Sequence, residues 1–515
     1  MNTRKLLQDI GVVSIVLAGA RILGFIREIL IVPRFGLKHA LDAWNIASSV
    51  PMTLTTLLTA GILSIVFIPI FTKYVVKDEL NSLSRLVGVL FMIISIGFSI
   101  LVVLGIIFAK PLILLQTRPE TSPETIDIAV RLFKIMMPTF LLMAWSGLLT
   151  AIHHSFQRFV LPALGSLFVN ICVVGSFLLF ADTLGVYSLA YGFLAGSALQ
   201  LLVQLPGVFN KNLRLDINFN MRHPALVGIG SLIIPVLLGS GVQQLKIFFE
   251  KYLASGLSMG AVTAYNTAWK VSQLPLSVFV MTISMIIFPQ FAESVAKNKP
   301  DALKQNILWG LKMISYIIIP AGVGILVLAE PMSVALFQRG AVTWESAVRI
   351  AAPLAIFAIG LLPWSYTAVL LKVFYSMGDT KTPVWIACIS VSFLVTAELL
   401  LVRFGTIGIA IGSVMAAFLS MLLQVIMVRK KIGNFGLTSL LISMIKITIS
   451  SLAMGGVVFF LHQKAYLLVD MNSNTGRILA LTFVIVIGIL VYIGSMYLIN
   501  RKEFSEMLGS LRRRK

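Results

Sequence analysis

Apolar runs of roughly twenty residues, separated by short polar and basic connections, recur along the whole chain of 515 residues. That is the length at which a helix crosses the hydrocarbon core of a bilayer. The runs predict spans at 8–33, 40–71, 86–109, 126–152, 159–181, 184–206, 225–254, 260–292, 304–328, 347–374, 383–402, 405–428, 438–462 and 476–499. In lipid, only helices and closed barrels satisfy every backbone group, and runs apolar on all faces are helical. The predicted fold class is therefore all-α: a polytopic membrane protein of about 14 transmembrane helices.

The pattern repeats. Phe67-Ile68-Pro69-Ile70-Phe71 closes the second span and Ile287-Phe288-Pro289-Gln290-Phe291 the eighth, with Pro69 and Pro289 220 positions apart. A polar turn ending at Pro162 follows the fourth span and another ending at Pro383 follows the tenth, 221 positions apart. Six spans are thus duplicated as six more. An even number starts both copies on one side of the membrane, so the expectation is two six-helix lobes in parallel pseudo-repeat plus two C-terminal helices. The expected boundaries are 1–222 and 223–432 for the lobes and 433–515 for the extra pair with its basic tail. In secondary transporters such repeats hold the substrate site between the halves.

Composition narrows the class. The chain is 58% hydrophobic and 12% charged, with a mean hydropathy of +0.97. Soluble domains carry about 25% charged residues, so a water-soluble enzyme, a disordered chain and a disulfide-stapled secreted domain are excluded. The two cysteines, Cys172 and Cys388, lie inside apolar runs and read as packing residues. The net charge of +21 is topological and implies no nucleic acid. With the N-terminus inside, 23 of the 41 Lys and Arg fall in cytoplasmic tails and loops and 9 in the opposite loops. The bias places both termini in the cytoplasm, and the basic tail Leu511–Lys515 near anionic headgroups. The N-terminal run, interrupted by Arg21, Arg27 and Glu28, has no small-residue cleavage site and is expected to remain as the first span.

The sequence holds no P-loop, HExxH or Gly-x-Ser-x-Gly motif and no acid–base set, so neither an enzyme nor a cofactor or metal site is expected. The five histidines fall near span ends and read as interfacial polar residues. Charges inside spans are costly and mark cavities or partners. Arg21, Arg27 and Glu28, six and seven residues apart, are expected on one face of the first span. Two arginines exceed one carboxylate, and a guanidinium matches phosphate, so they read as a cationic wall for an anionic substrate. The alternative is a local ion pair with Glu28. Asp42 opens the second span as a helix cap or as a gating partner for a basic residue. Lys270 lies in span eight, Lys246 and Glu250 in span seven, and Glu398 in span eleven. Arg131 and Lys134, near a span start, read as snorkelling.

In this architecture these residues resemble the MurJ/MviN lipid II flippases of the MATE-like (MOP) exporter superfamily. The resemblance covers nearly the whole chain. It is carried by Arg21-Ile-Leu-Gly-Phe-Ile-Arg27-Glu28, Phe35-Gly36, Leu41-Asp42-Ala43-Trp44, Phe67-Ile68-Pro69, Phe337-Gln338-Arg339-Gly340-Ala341-Val342-Thr343 and Gly378-Asp379-Thr380-Lys381-Thr382-Pro383, in that order. It implies two six-helix lobes around a cavity, with the last two helices forming a lipid-facing groove. It implies a bacterial inner-membrane protein that moves lipid II, an undecaprenyl-pyrophosphate-linked peptidoglycan precursor, from the cytoplasmic to the outer leaflet. Membrane lipids and the cell-wall synthesis machinery are the implied neighbours. On matching positions Arg21 and Arg27 keep the family arginines of span one, Glu28 replaces the usual Asp, and Asp42 is retained. The span-eight arginine is Lys270, which keeps charge but loses the bidentate fork. The Arg-rich segment of span two is changed, with Thr55 and Ala60 where the family has arginine and glutamate. Of two carboxylates suited to a cation in some members, the first is Lys246 and the second Glu398.

The expected substrate-binding residues are therefore Arg21, Arg27, Lys270 and Thr55. Glu28, Asp42, Lys246 and Glu398 are the expected gating and ion-pair residues, with Lys246 approaching Glu398 as a tethered cation. Thr55 and Ala60 favour a second expectation, a paralogue that flips another polyprenyl-linked oligosaccharide of O-antigen or capsule type. A cation-coupled drug exporter of the MATE type fits less well, because its substrates are cationic and the extra helix pair is unaccounted for.

Overall fold

The computed structural model describes residues 3–57, 66–209, 224–468 and 473–513. The chain folds as two compact units, Met1–Thr263 and Ala264–Lys515. The first holds α1 (Thr3–Phe35), α2 (His39–Ala47), α3 (Ser49–Thr56), α4 (Ile68–Val76), α5 (Leu80–Ile107), α6 (Ala109–Leu114), α7 (Pro123–Met136), α8 (Thr139–Ser155), α9 (Val160–Leu184), α10 (Tyr187–Phe209) and α11 (Pro224–Ser255). α12 (Ala261–Pro275) opens at the boundary. α13 (Met281–Ala296), α14 (Pro300–Phe337), α15 (Trp344–Ser376), α16 (Lys381–Leu401), α17 (Gly405–Ile432), α18 (Leu437–Leu468) and α19 (Asn474–Arg513) follow.

The fold is all-helical among the described residues, and each expected span falls on a helix or on helices in series. Nine helical stretches are long and apolar enough to cross a membrane, ten if the bent pair α7 and α8 is one span. One of the nine, Lys381–Ile432, contains both α16 and α17. The remaining expected spans coincide with α1, with α2–α4 and with α11, parts of which lie outside the described residues. Prolines account for the interruptions. α7 and α8 meet at Pro138 with a 41° bend. Pro275 precedes the π-helical turn Leu276–Val280 between α12 and α13, because its ring and missing N–H break the regular ladder.

The duplication is visible in the backbone. Asp78 and Asn298, 220 residues apart, both have positive φ (59° and 49°). Gln157 and Gly378, 221 apart, do so at 58° and 72°, and Gly185 and Gly405, 220 apart, at 56° and 69°. Left-handed residues end helices and are few, so three matched pairs mark the same turns in both copies. The cores repeat as well: Phe71 and Phe291, from the two Pro-centred motifs, are both 0% exposed.

In the first unit α9 packs closely on α10. Added Cβ atoms at Gly192 and Gly196 would press on the α9 backbone at Val173 and Val169, and the Ser176 hydroxyl donates to the Ser188 carbonyl at 2.7 Å. Small residues let helix backbones approach where lipid gives no hydrophobic drive. α8 meets α10 through Ser146, which accepts from Gln200 at 2.9 Å and Gln204 at 2.8 Å. His153 is 1% exposed, with a ring nitrogen 3.0 Å from the Gln204 carbonyl. It is therefore a helix-packing residue, where its place near a span end suggested an interfacial one.

In the second unit Gly412 of α17 lies against Glu398 of α16. A core of Tyr316, Leu328, Ile447, Met454, Val484 and Met496 joins α14, α18 and α19. The turn before α16 is held by Asp379, whose carboxylate accepts from the backbone N–H groups of Lys381 and Thr382 at 3.1 and 3.0 Å and pairs with Lys431 at 2.9 Å. Burial pushes this carboxyl up, but the Thr382 hydrogen bonds and Lys431 outweigh it and hold the group down at about 2. Cys172 and Cys388 are free thiols.

Candidate functional site

The charged residues of α1 are clamped to α9. The Arg27 guanidinium donates from Nη1 to the Asn170 side-chain oxygen at 3.1 Å and from Nη2 to Glu28 Oε1 at 3.1 Å. The side chains of Arg27 and Glu28 are 12% and 10% exposed. Asn170 in turn donates to the Ala20 carbonyl at 3.3 Å and to the Ser166 carbonyl of its own helix at 3.0 Å. Nearer the end of α1, Arg34 pairs with Asp182, and Phe35 meets Phe177 edge-on with centroids 6.0 Å apart. Adjacent helical residues do not face one another, yet the long side chains of Arg27 and Glu28 bridge the gap. The fork has five N–H donors, so these contacts leave donors for an anion.

Arg21 does not share that environment; it is exposed. Six residues at 100° each turn Arg27 about 120° around the helix from Arg21, so the expected common face holds for Arg21 and Glu28 but not for Arg27. Gly24, one turn from both arginines, faces Asn170, whose Oδ1 would lie 3.6 Å from an added Cβ.

Asp42 is 5% exposed and caps a helix, though not its own. Its Oδ2 accepts from the Gly260 backbone N–H at 2.6 Å. Its Oδ1 accepts from the Thr263 N–H at 2.8 Å and the Thr263 hydroxyl at 2.7 Å. These are the orphan donors at the start of α12, and a carboxylate suits the positive end of the helix dipole. Asn45 adds a bond to the Thr263 hydroxyl at 3.3 Å, and Lys251 donates to the Asn45 carbonyl at 2.9 Å. Gly260 has φ +83°, and a Cβ there would collide with the Leu37 carbonyl, so only glycine fits.

Lys246 pairs with Glu250 one turn along α11 at 3.6 Å, with side chains 18% and 11% exposed. Lys270 lies on α12 beside Trp269, which packs edge-on against Phe357 and Trp364 of α15 with centroids 5.3 and 4.8 Å apart. Glu398 is fully enclosed, 0% exposed. The side chain of Thr55 and the whole of Ala60 lie outside the described residues. Asn170, Gly260 and Thr263 join the site without having been singled out from sequence. Asn170 is an amide within the apolar run 160–184, and that was its signal; Gly260 and Thr263 open a helix, which is unremarkable in sequence.

Two repeated six-helix halves, buried charges on α1 and an appended helix pair define a transporter of the MATE-like architecture. The fold is similar to an inward-facing multidrug resistance MATE family transporter of the MOP superfamily (TM-score 0.71, 13% identity, covering 82% of this chain and 96% of that one). It is more similar to a lipid II flippase MurJ in an inward closed conformation (TM-score 0.82, 22% identity, 96% and 99%). The family model described as lipid II flippase MurJ matches residues 31–475, and the chain belongs to that family. Among curated relatives, the probable lipid II flippase MurJ of Vibrio cholerae serotype O1 is 27% identical over 433 residues, 82% of each chain. That of Bdellovibrio bacteriovorus is 26% identical over 498 residues, 95% of this chain and 94% of the relative.

Proposed function

We propose that this protein is a lipid II flippase that carries the polyprenyl-diphosphate-linked peptidoglycan precursor from the cytoplasmic to the outer leaflet by alternating access. The observation that carries this reading is the family match over residues 31–475. The buried Arg27 fork on α1 supplies chemistry suited to a diphosphate. In this reading Arg21, Arg27 and Lys270 take the diphosphate, with the Thr55 hydroxyl as a neutral ligand. Glu28 holds Arg27 when the site is empty, and Asp42 latches the start of α12 in one state and releases it in the other. Both termini are cytoplasmic, as the 23-to-9 division of basic residues favours, and the cell-wall synthesis machinery is the natural neighbour.

Rescue of a strain depleted of its own lipid II flippase tests the reading. Growth and normal shape on expression of this chain are expected; lysis despite normal membrane levels would reject it. Thr55 and Ala60, in place of the family arginine and glutamate, favour one other reading, a flippase of a different polyprenyl-linked glycan. Lys270→Arg separates the two. In a lipid II site restoring the fork leaves flipping unchanged or raises it, whereas in a site reshaped for another glycan it creates no lipid II transport.

A further inference from the structure

Two further lysines sit within predicted spans. Lys446 is 9 positions into α18 and Lys312 is 12 positions into α14, about 14 and 18 Å along their helices at 1.5 Å per residue. They meet at one seam. Lys312 Nζ donates to the Ser439 hydroxyl of α18 at 2.9 Å, and Lys446 Nζ donates to the Asn500 side-chain oxygen of α19 at 3.2 Å. Asn500 is 7% exposed. It breaks α19 with φ −143° and ψ 42°, and its amide donates to the Tyr316 hydroxyl of α14 at 3.1 Å. Tyr492 of α19 donates to the Tyr316 carbonyl at 2.8 Å.

This polar seam is built into helices that are otherwise apolar. Neither α18 nor α19 as far as Asn500 carries an Asp or Glu, and α14 has only Asp301, paired with Lys304, and Glu330, 18 residues beyond Lys312. The groups that orient the two ammoniums are a hydroxyl and an amide oxygen. Such groups fix a lysine without neutralising it. A cation held at membrane depth by neutral groups is a functional site by default. Immediately beside Lys446 the surface is exposed hydrocarbon-compatible side chain: Leu441, Ile445 and Ile449 are 56%, 60% and 52% exposed. A ligand that meets both features carries phosphate on a long hydrocarbon tail.

We infer that the seam of α14, α18 and α19 is a staging site for a polyprenyl diphosphate lipid, in which Lys312 and Lys446 bind the diphosphate before transport. This rests on the flippase reading for its role in the cycle but not for the binding itself. The expected signature is therefore a change in apparent affinity and not in maximal rate.

The test uses the full chain in nanodiscs. Native mass spectrometry measures binding of undecaprenyl diphosphate and of phosphatidylglycerol, and a proteoliposome assay measures flipping of lipid II against its concentration. Lys312→Gln with Lys446→Gln should weaken undecaprenyl diphosphate binding about tenfold, the loss expected when charge-assisted bonds to phosphate are removed. The half-saturating lipid II concentration should rise by a similar factor at an unchanged maximal rate. Lys446→Arg should retain binding. Asn500→Asp guards against misfolding: it keeps the shape, gives Lys446 a carboxylate and should preserve thermal stability while still weakening diphosphate binding. Unchanged diphosphate binding in the Asn500→Asp protein would overturn the inference. So would an equal loss of phosphatidylglycerol, which would make the seam a general contact for anionic lipid. Lysine-dependent binding by a protein that flips no lipid II would reject the function and keep the site. Flipping with an unaltered concentration dependence in the double variant would do the reverse.

Discussion

Arg27 shows how one side chain can serve both a fold and a ligand. Its bonds to Asn170 and Glu28 tie α1 to α9, and a diphosphate would compete for the same fork. Arg27→Ala should abolish flipping in proteoliposomes while the protein still inserts, and Arg27→Lys should recover only part, because a point charge replaces a bidentate donor; full activity of the alanine variant would remove Arg27 from the site. Asp42 is the structural counterpart. Asp42→Asn keeps one good acceptor for three donors, and the loss of a charged cap should lower stability by about 1–2 kcal/mol, read as an earlier thermal unfolding transition in detergent; an unshifted transition would show that the cap at Gly260 and Thr263 carries no stability. Arg27, Glu28 and Asp42 were legible in the sequence because charges stand out in apolar runs. Their partners were not: Asn170 is 143 residues from Arg27 and Gly260 is 218 from Asp42, and no local pattern encodes such distances. The environment of Arg21 was misread for a geometric reason, since a spacing of six residues approximates a helix face poorly.

At the scale of elements, length and punctuation were legible and the breaks inside spans were not. A run of twenty apolar residues must be helical in lipid, which is why the spans fall where the hydropathy puts them. The π-helical turn after Pro275 and the 41° bend at Pro138 depend on how neighbouring helices repair the freed backbone groups. The matched left-handed turns show the duplication acting on element ends, but the two copies fasten the turn before the fifth helix differently. In the second, Asp379 caps α16 and pairs with Lys431; in the first, Arg158 donates to the Gly207 carbonyl at 3.2 Å. The Asp379 carboxyl is held at about 2, below its ordinary 3.8. A depressed folded value means that its contribution to stability is fully present above the unfolded value and is lost as pH falls toward 2. Asp379→Asn should therefore lower the melting temperature at pH 7, and the gap from the unmutated protein should close as pH is lowered from 5 to 3. A gap independent of pH over that range would mean that the amide loses packing or geometry and not charge.

For the whole molecule the open question is what drives the cycle, and Lys246 bears on it. Carboxylates suited to a cation stand at two places in some members of the family; here one is Lys246 and the other Glu398. Glu398 is fully enclosed against Gly412, and a carboxylate so placed needs a positive charge or a proton. Lys246 already sits 3.6 Å from Glu250 in a nearly covered setting, so its ammonium is a permanent cation in a region where other members would recruit a mobile one. We propose that this tethered charge substitutes for the bound ion and serves Glu398 during the cycle. Flipping by the unmutated protein should then proceed at the same rate in potassium and in sodium buffers. Lys246→Ala should leave the carboxylates uncompensated, so that transport falls in potassium and is recovered by added sodium or by lowering the pH. Lys246→Arg should keep the ion-independent behaviour, since the charge is retained. Strong sodium dependence of the unmutated protein would overturn the substitution, and so would an alanine variant whose residual rate responds to neither sodium nor protons.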